Sequence, residues 1–301
     1  MKRDFLTVLD LSSEEIGTLL KRAIEFKSGI DVNKCPLIGK SIGLLFEKAS
    51  TRTRVSLEVG IYQLGAQAIY MNPKEMQIGR GETIYDTARV LSRYLSAIVI
   101  RTFSHNILIE FASQSSIPVI NGLSDLHHPC QALADLMTIL EKKGQLKGIR
   151  LAYIGDGNNV ANSLIEAAIR MEINLAIACP EGCEPDIDVL KEAITSATSE
   201  ITILKDPREA INKADVVYTD VWVSMGQEKE AVKKKQKFKG YQLNNKLLSY
   251  AKEDAIVLHC MPAHRGEEIT DEVIDGTQSA VFDQAENRLY TQKALLEFLL
   301  T

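Results

Sequence analysis

Ser50, Thr51, Arg52, Thr53 and Arg54 put three hydroxyls and two guanidiniums into five consecutive residues. The apolar run SIGLLF (41–46) precedes them and reads as a buried strand. The stretch 53–65 follows with Val55, Val59 and Tyr62 at helical spacing. The cluster therefore falls where a strand gives way to a helix, a position that favours a hydroxyl as N-cap. One hydroxyl is enough for a cap, and arginines in a first turn oppose the helix dipole. A bound oxyanion accounts for the excess, because free helix N–H groups, hydroxyls and guanidinium together suit a phosphate. The plain alternative is a capped helix with two solvated arginines.

Three further stretches carry reactive side chains. IGDGNNV (154–160) has the strand–turn–helix setting of a dinucleotide loop, but Val160 stands where a third glycine belongs. A nicotinamide dehydrogenase is thus a rival on fold and a poor one on motif; a turn shaped by Gly and Asn is the plain alternative. His127-His128-Pro-Cys-Gln131 and His259-Cys260-Met-Pro-Ala-His264 bring together four of the five histidines and two cysteines. Paired Cys-x-x-Cys or His-x-x-x-His spacing is absent, which argues against a metal centre. Both stretches fall at the end of an apolar strand or the start of a helix, where α/β folds present side chains to a ligand crevice. Asp220-Val-Trp-Val-Ser-Met-Gly226 offers a carboxylate, a hydroxyl and backbone groups that suit a zwitterionic amino acid; a polar loop with Trp222 packed at the surface reads equally well.

These groups need a scaffold, and the alternation of elements predicts one. A helix capped at Ser12 or Ser13 runs over 11–29, followed by strands at 41–46, 67–71, 97–102 and 117–122 with helices between them. The region 128–144 reads as a helix bridging to a second unit. Strands at 150–156, 175–180, 201–206, 214–222, 255–262 and 280–284 follow, and 292–300 reads as a closing amphipathic helix. Such alternation predicts parallel sheets with crossover helices. The stretch EKEAVKKKQKFKG (228–240) reads as a solvated basic surface. At 301 residues the chain is long enough for two α/β domains, and a formal charge of −5 argues against a general nucleic-acid binder. No run is long enough to span a bilayer, and the start reads as no signal peptide. Five scattered cysteines without a secretion signal point to reduced thiols in a cytoplasm.

In order along the chain, STRTR (50–54), the loop around Gln77, Arg101-Thr102, HPCQ (128–131), GDGNN (155–159), DVWVSMG (220–226), HCMPAHRG (259–266) and AENR (285–288) resemble the carbamoyltransferase family, on its ornithine-using branch. The resemblance covers nearly the whole chain. It implies two doubly wound α/β domains with parallel sheets. Residues 1–134, completed by a C-terminal helix at 286–301, would bind carbamoyl phosphate, and 135–285 would bind ornithine. Ser50, Thr51, Arg52 and Thr53 would hold the phosphate; Arg101, His128, Gln131 and Thr53 would surround the carbamoyl group. Gln77 would reach in from its loop and Arg288 from near the C-terminus. Asn159, Asp220, Ser224 and Met225 would bind the α-amino acid end of ornithine, with Cys260 and the Met261 backbone facing the δ-amine and the carbamoyl NH2. Arg101, His128, Asp220 and Cys260 would be the catalytic set, and Arg54 would be structural.

The resemblance also implies a homotrimer or a multiple of it, with active sites near subunit interfaces, and no cofactor or metal. Aspartate-using relatives need basic residues for a second carboxylate, whereas the Asp220 loop suits an amino group. Putrescine or an N-acylated ornithine is the alternative acceptor within the family. A catalytically silent homologue is disfavoured because every expected reactive position is filled.

Overall fold

The computed structural model describes residues 2–30, 34–223 and 231–301, without the side chains at 79, 80 and 231. The chain forms two compact units, Met1–Met137 with Glu286–Thr301, and Thr138–Ala285.

In the first unit the elements are α1 (Ser13–Lys27), β1 (Ser41–Phe46), α2 (Thr51–Gln63), β2 (Gln67–Met71), α3 (Ile84–Leu91), β3 (Ala97–Arg101), α4 (His105–Gln114), β4 (Val119–Leu123) and the start of α5 (Pro129–Lys143). The strands pair in parallel in the order β2-β1-β3-β4. The central strands β1 and β3 are buried on both faces, as crossover helices cover a parallel sheet from both sides, while the edge strand β2 is largely exposed. Leu45, Ile98, Ile100, Leu108, Phe111 and Val119 belong to one buried cluster. The order reverses between β1 and β3, so the loops leaving the C-terminal ends of these two strands diverge and open a crevice. Ser50 follows β1, and Arg101 ends β3.

The second unit contains β5 (Arg150–Ile154), α6 (Asn159–Met171), β6 (Asn174–Ala178), α7 (Ile187–Ser196), β7 (Ile201–Leu204), α8 (Pro207–Ile211), β8 (Val216–Thr219), α9 (Ala231–Lys237), α10 (Asn245–Leu248), β9 (Ile256–His259) and α11 (Asp271–Ile274). Its sheet is again wholly parallel, ordered β7-β6-β5-β8-β9, with the reversal between β5 and β8. The GDGNN turn follows β5 and Asp220 follows β8, so both expected ligand segments leave the sheet at that point. Gly157 is obligatory in this turn. A Cβ there would lie 2.2 Å from the Pro185 nitrogen and 2.3 Å from the Glu184 carbonyl carbon.

Three sequence expectations are corrected. Residues 280–284 are not a strand: Val281–Leu300 is one continuous helix, α12. Its buried positions include Gln284, Asn287, Arg288, Thr291 and Gln292, so hydropathy periodicity could not register them. From Glu286 on, this helix packs in the first unit. Gln292 Oε1 accepts from Ser56 Oγ (2.7 Å), and Glu297 pairs with Arg22 (2.6 Å). The stripe Val55, Val59 and Tyr62 does lie on a helix, but it faces solvent in the single chain; α2 buries Thr53, Leu57, Gly60 and Ile61 instead. The basic stretch after 230 is not simply a solvated surface, because Lys234 pairs at 2.6 Å with the buried Asp156. Among the described residues no helix is long and apolar enough to cross a membrane.

Candidate active site

The first-unit cluster is assembled at the N-terminus of α2. Ser50 caps the helix, its side chain accepting from Thr53 N (3.3 Å). Thr53 is buried, and its Oγ1 accepts from Arg288 Nη2 (2.7 Å). Arg288 Nη1 donates to Gln131 Oε1 and lies 3.3 Å from His128 Nε2. Gln131 in turn donates to Asp135 (2.8 Å), one turn along α5, which fixes its amide orientation. One guanidinium therefore gathers side chains from α2 and from the start of α5. A guanidinium has no acceptor, so His128 Nε2 presents its lone pair and the imidazole proton sits on Nδ1. Burial holds the His128 imidazole well below the usual histidine range, and the nearby Arg288, Arg101 and Arg52 charges push in the same direction. His128 is neutral at pH 7.

Arg54 is directed elsewhere. It lies over the Tyr70 ring (3.6 Å) and pairs with Glu58 (2.9 Å). Gln77 sits exposed in a 3-10 turn, Gln77–Arg80, and among the described residues its side chain makes no hydrogen bond to the Arg288 cluster.

The second-unit cluster is built on carboxylates. Asp220 is buried; its Oδ1 accepts from Cys260 Sγ (2.9 Å) and from Val221 N (2.8 Å), and its Oδ2 accepts from Asn158 Nδ2 (2.7 Å). Asn158 is the residue that sequence reasoning passed over. It reads as a turn former, yet it links the two strand ends across the switch point. Its Oδ1 accepts from Val160 N and Ala161 N, capping α6. The helix N–H groups that a dinucleotide pyrophosphate would need are thus already bonded, which weighs against the dehydrogenase reading. Asn159 opens α6, half-buried. Trp222 is not packed at the surface: it is buried and stacked on Phe238, with centroids 5.4 Å apart. Ser224 and Met225 lie outside the described residues.

Cys260 and Met261 follow β9. Met261 adopts a left-handed backbone (φ 54°), and its N–H donates to His259 Nδ1 (2.9 Å). Asp220, His259 and Cys260 carry potential metal-donor atoms within 4.8 Å of one another. Both nitrogens of His259 are engaged, however, since Nε2 lies 3.1 Å from Glu268 Oε1.

Residues 3–141 match the family described as aspartate/ornithine carbamoyltransferase, carbamoyl-P binding domain, and residues 147–299 match its Asp/Orn binding domain. The chain is 53% identical over 302 residues to the ornithine carbamoyltransferase of Syntrophus aciditrophicus, covering 100% of each. It is 55% identical over 303 residues to that of Anoxybacillus flavithermus, covering 99% of this chain and 96% of the other. The solved ornithine carbamoyltransferase from Pyrococcus furiosus matches with a TM-score of 0.94 at 49% identity, covering 99% of this chain and 97% of that one. The chain belongs to the aspartate/ornithine carbamoyltransferase family.

Proposed function

We infer that the chain is a carbamoyltransferase that moves the carbamoyl group of carbamoyl phosphate to the δ-amine of L-ornithine, releasing L-citrulline and phosphate. The observation that carries this is the convergence of Thr53, His128 and Gln131 on the buried Arg288, beside a helix N-terminus rich in hydroxyls. Ser50, Thr51, Arg52 and Thr53 take the dianionic phosphate, which the α2 N-terminus also favours. Arg101, His128, Gln131 and Arg288 surround the carbamoyl group. In the second unit, Asn159 and Asp220, with Ser224 and Met225, take the amino acid end of ornithine. Because the Met261 N–H is bonded to His259, its carbonyl is the group left to meet an NH2.

An alkylamine of pKa ~10 is mostly protonated at neutral pH and cannot attack. The contact between Cys260 Sγ and Asp220 Oδ1 supports a proton relay that accepts the amine's proton. Attack on the carbamoyl carbon builds negative charge on its oxygen, which Arg101, Thr53 and the neutral His128 stabilise as preorganised donors. Collapse of the adduct breaks the C–O bond to phosphate, which departs into the hydroxyl- and arginine-lined α2 N-terminus carrying the second proton of the attacking nitrogen, and this completes the transfer.

The reaction is assigned to the cytoplasm and to arginine biosynthesis. None of the five cysteines is joined in a disulfide, and citrulline already carries the ureido group from which a guanidinium is made. The test is formation of a ureido product from carbamoyl phosphate with ornithine, putrescine, N-acetylornithine or aspartate in turn. Ornithine should give the highest kcat/KM, and expression should relieve the citrulline requirement of a strain lacking the activity. A preference for putrescine or N-acetylornithine would overturn the acceptor assignment.

A homotrimer is part of the same proposal. Support comes from Val55, Val59, Tyr62, Ile69 and Tyr70, large apolar side chains exposed on α2 and the edge strand β2. Such a patch marks an interaction surface. Gln77, exposed and outside the cluster of its own chain, would serve a neighbouring protomer. Tyr62→Glu, at the most exposed position of the stripe, should convert the trimer to smaller species in sedimentation velocity; an unchanged boundary would remove this face from the interface.

A further inference from the structure

Helix α9 carries Lys234, Lys235 and Lys237, and each reaches a different segment of the second unit. Lys234 Nζ pairs with Asp156 Oδ2 (2.6 Å), Lys235 Nζ with Glu267 Oε1 (2.5 Å), and Lys237 Nζ donates to the Glu181 carbonyl (3.1 Å). Only the first contact leads inward. Asp156 is 6% exposed, and the Lys234 side chain is 14% exposed. A carboxylate removed from water to that degree is costly unless it is paired.

From Asp156 a continuous set of hydrogen bonds runs to the reactive carboxylate. The Asp156 carbonyl accepts from Tyr153 OH (2.8 Å) and from Asn158 N (2.7 Å). Asn158 Nδ2 donates to Asp220 Oδ2, and Cys260 Sγ donates to Asp220 Oδ1. The intervening Gly157 is wedged against 183–185, so the turn has little freedom to absorb a displacement at one end without passing it to the other.

We propose that Lys234 is a positioning residue for ornithine binding: its ion pair with Asp156 anchors the 155–158 turn and thereby sets the place of Asn158 and the Asp220 carboxylate. This rests on the assignment of Asp220 to ornithine. Electrostatics reinforce the geometry. The groups facing Asp156 are Lys234, Asp220 and Cys183, with Tyr153 beneath. Burial raises the Asp156 carboxyl above the usual carboxylate range, Asp220 adds to the rise, and Lys234 opposes both. Without the lysine, Asp156 must either take up a proton or set an uncompensated charge beside Asp220. Either outcome changes what the α-ammonium of ornithine meets.

The test compares steady-state kinetics of full-length Lys234→Met, Lys234→Arg, Lys237→Met and Asp220→Asn proteins whose thermal unfolding is cooperative. Lys234→Met should raise KM for ornithine about tenfold, as for directly coupled neighbours, with KM for carbamoyl phosphate within about twofold of wild type. Lys234→Arg should recover most of the loss. Lys237→Met removes the same charge from the same helix without touching Asp156, and it should leave both constants unchanged. An unaltered ornithine KM in Lys234→Met, or an equal rise in Lys237→Met, overturns the proposal. If Asp220→Asn itself leaves ornithine KM unaltered, the assignment of Asp220 has failed first.

Discussion

His128→Ala is expected to lower kcat by about 10²–10³, the cost typical of removing one preorganised donor to a developing oxyanion. The size follows from the setting of this imidazole. Burial above all keeps it neutral, with the charges of Arg288, Arg101 and Arg52 acting in the same direction, and Arg288 engages its Nε2, so the proton on Nδ1 is the one it can give to a ligand oxygen. A neutral donor in a water-poor site gains strength as charge builds on its acceptor, so kcat should fall more than KM for carbamoyl phosphate rises. The sign of the pH behaviour is also fixed. The imidazole's acid dissociation lies well below 6.5, so it does not titrate between pH 6.5 and 9. Over that range the pH profile of His128→Gln should run parallel to wild type, at a lower level. Initial rates of citrulline formation check both points; turnover of His128→Ala within threefold of wild type would end the role.

What could be read along the chain was local. The hydroxyl–arginine cluster is legible because a helix N-terminus, its cap and the strand before it occupy consecutive residues. The parallel sheets are legible because strands covered on both sides are written as short apolar runs. Long-range partners were not legible from pattern. Thr53 meets a guanidinium 235 positions away, on a helix whose buried positions from Gln284 to Lys293 are polar, so only the resemblance of AENR pointed to Arg288. Asn158 looks like any turn asparagine until the strand order brings Asp220 beside it. The Val55–Val59–Tyr62 stripe announces the helix correctly and misleads about its buried face, because exposed apolar periodicity reads the same as core. Lys234 hides in a run of lysines whose other members are more exposed.

The two clusters share one device with opposite charge. Each sits where strand order reverses, at the C-terminal ends of parallel strands, and each is organised around buried charges. In the first unit these are Arg101 and Arg288 with the half-buried Arg52, which suits a phosphorylated electrophile. In the second they are Asp220 and Asp156, which suit an ammonium-bearing nucleophile. A pyrophosphate-binding fold would need cations or free helix N–H groups where the second unit offers carboxylates, so the charge pattern separates the two uses of similar sheets more sharply than the glycines do.

Arg288→Leu should raise KM for carbamoyl phosphate by about 10² or more, because truncating one partner of a buried, hydrogen-bonded charge cluster costs about 2–5 kcal/mol. At 2% exposure the guanidinium is the hub of the first cluster, holding Thr53 Oγ1, the Gln131 amide oxygen and His128 Nε2 together. Its loss strands three buried acceptors and frees His128 to change tautomer, so kcat should fall as well. KM for ornithine, taken at saturating carbamoyl phosphate, should stay within about threefold, since no ornithine ligand is assigned to this cluster. Arg288→Lys separates charge from geometry. A point ammonium keeps the positive charge, but it cannot donate along two directions of a planar fork, so it should recover less than about tenfold of the loss. Affinity for carbamoyl phosphate can be measured directly by calorimetry on the folded variants. Wild-type affinity in Arg288→Lys would mean that charge alone suffices there, and the fork linking Thr53 to Gln131 and His128 would lose its part in substrate binding.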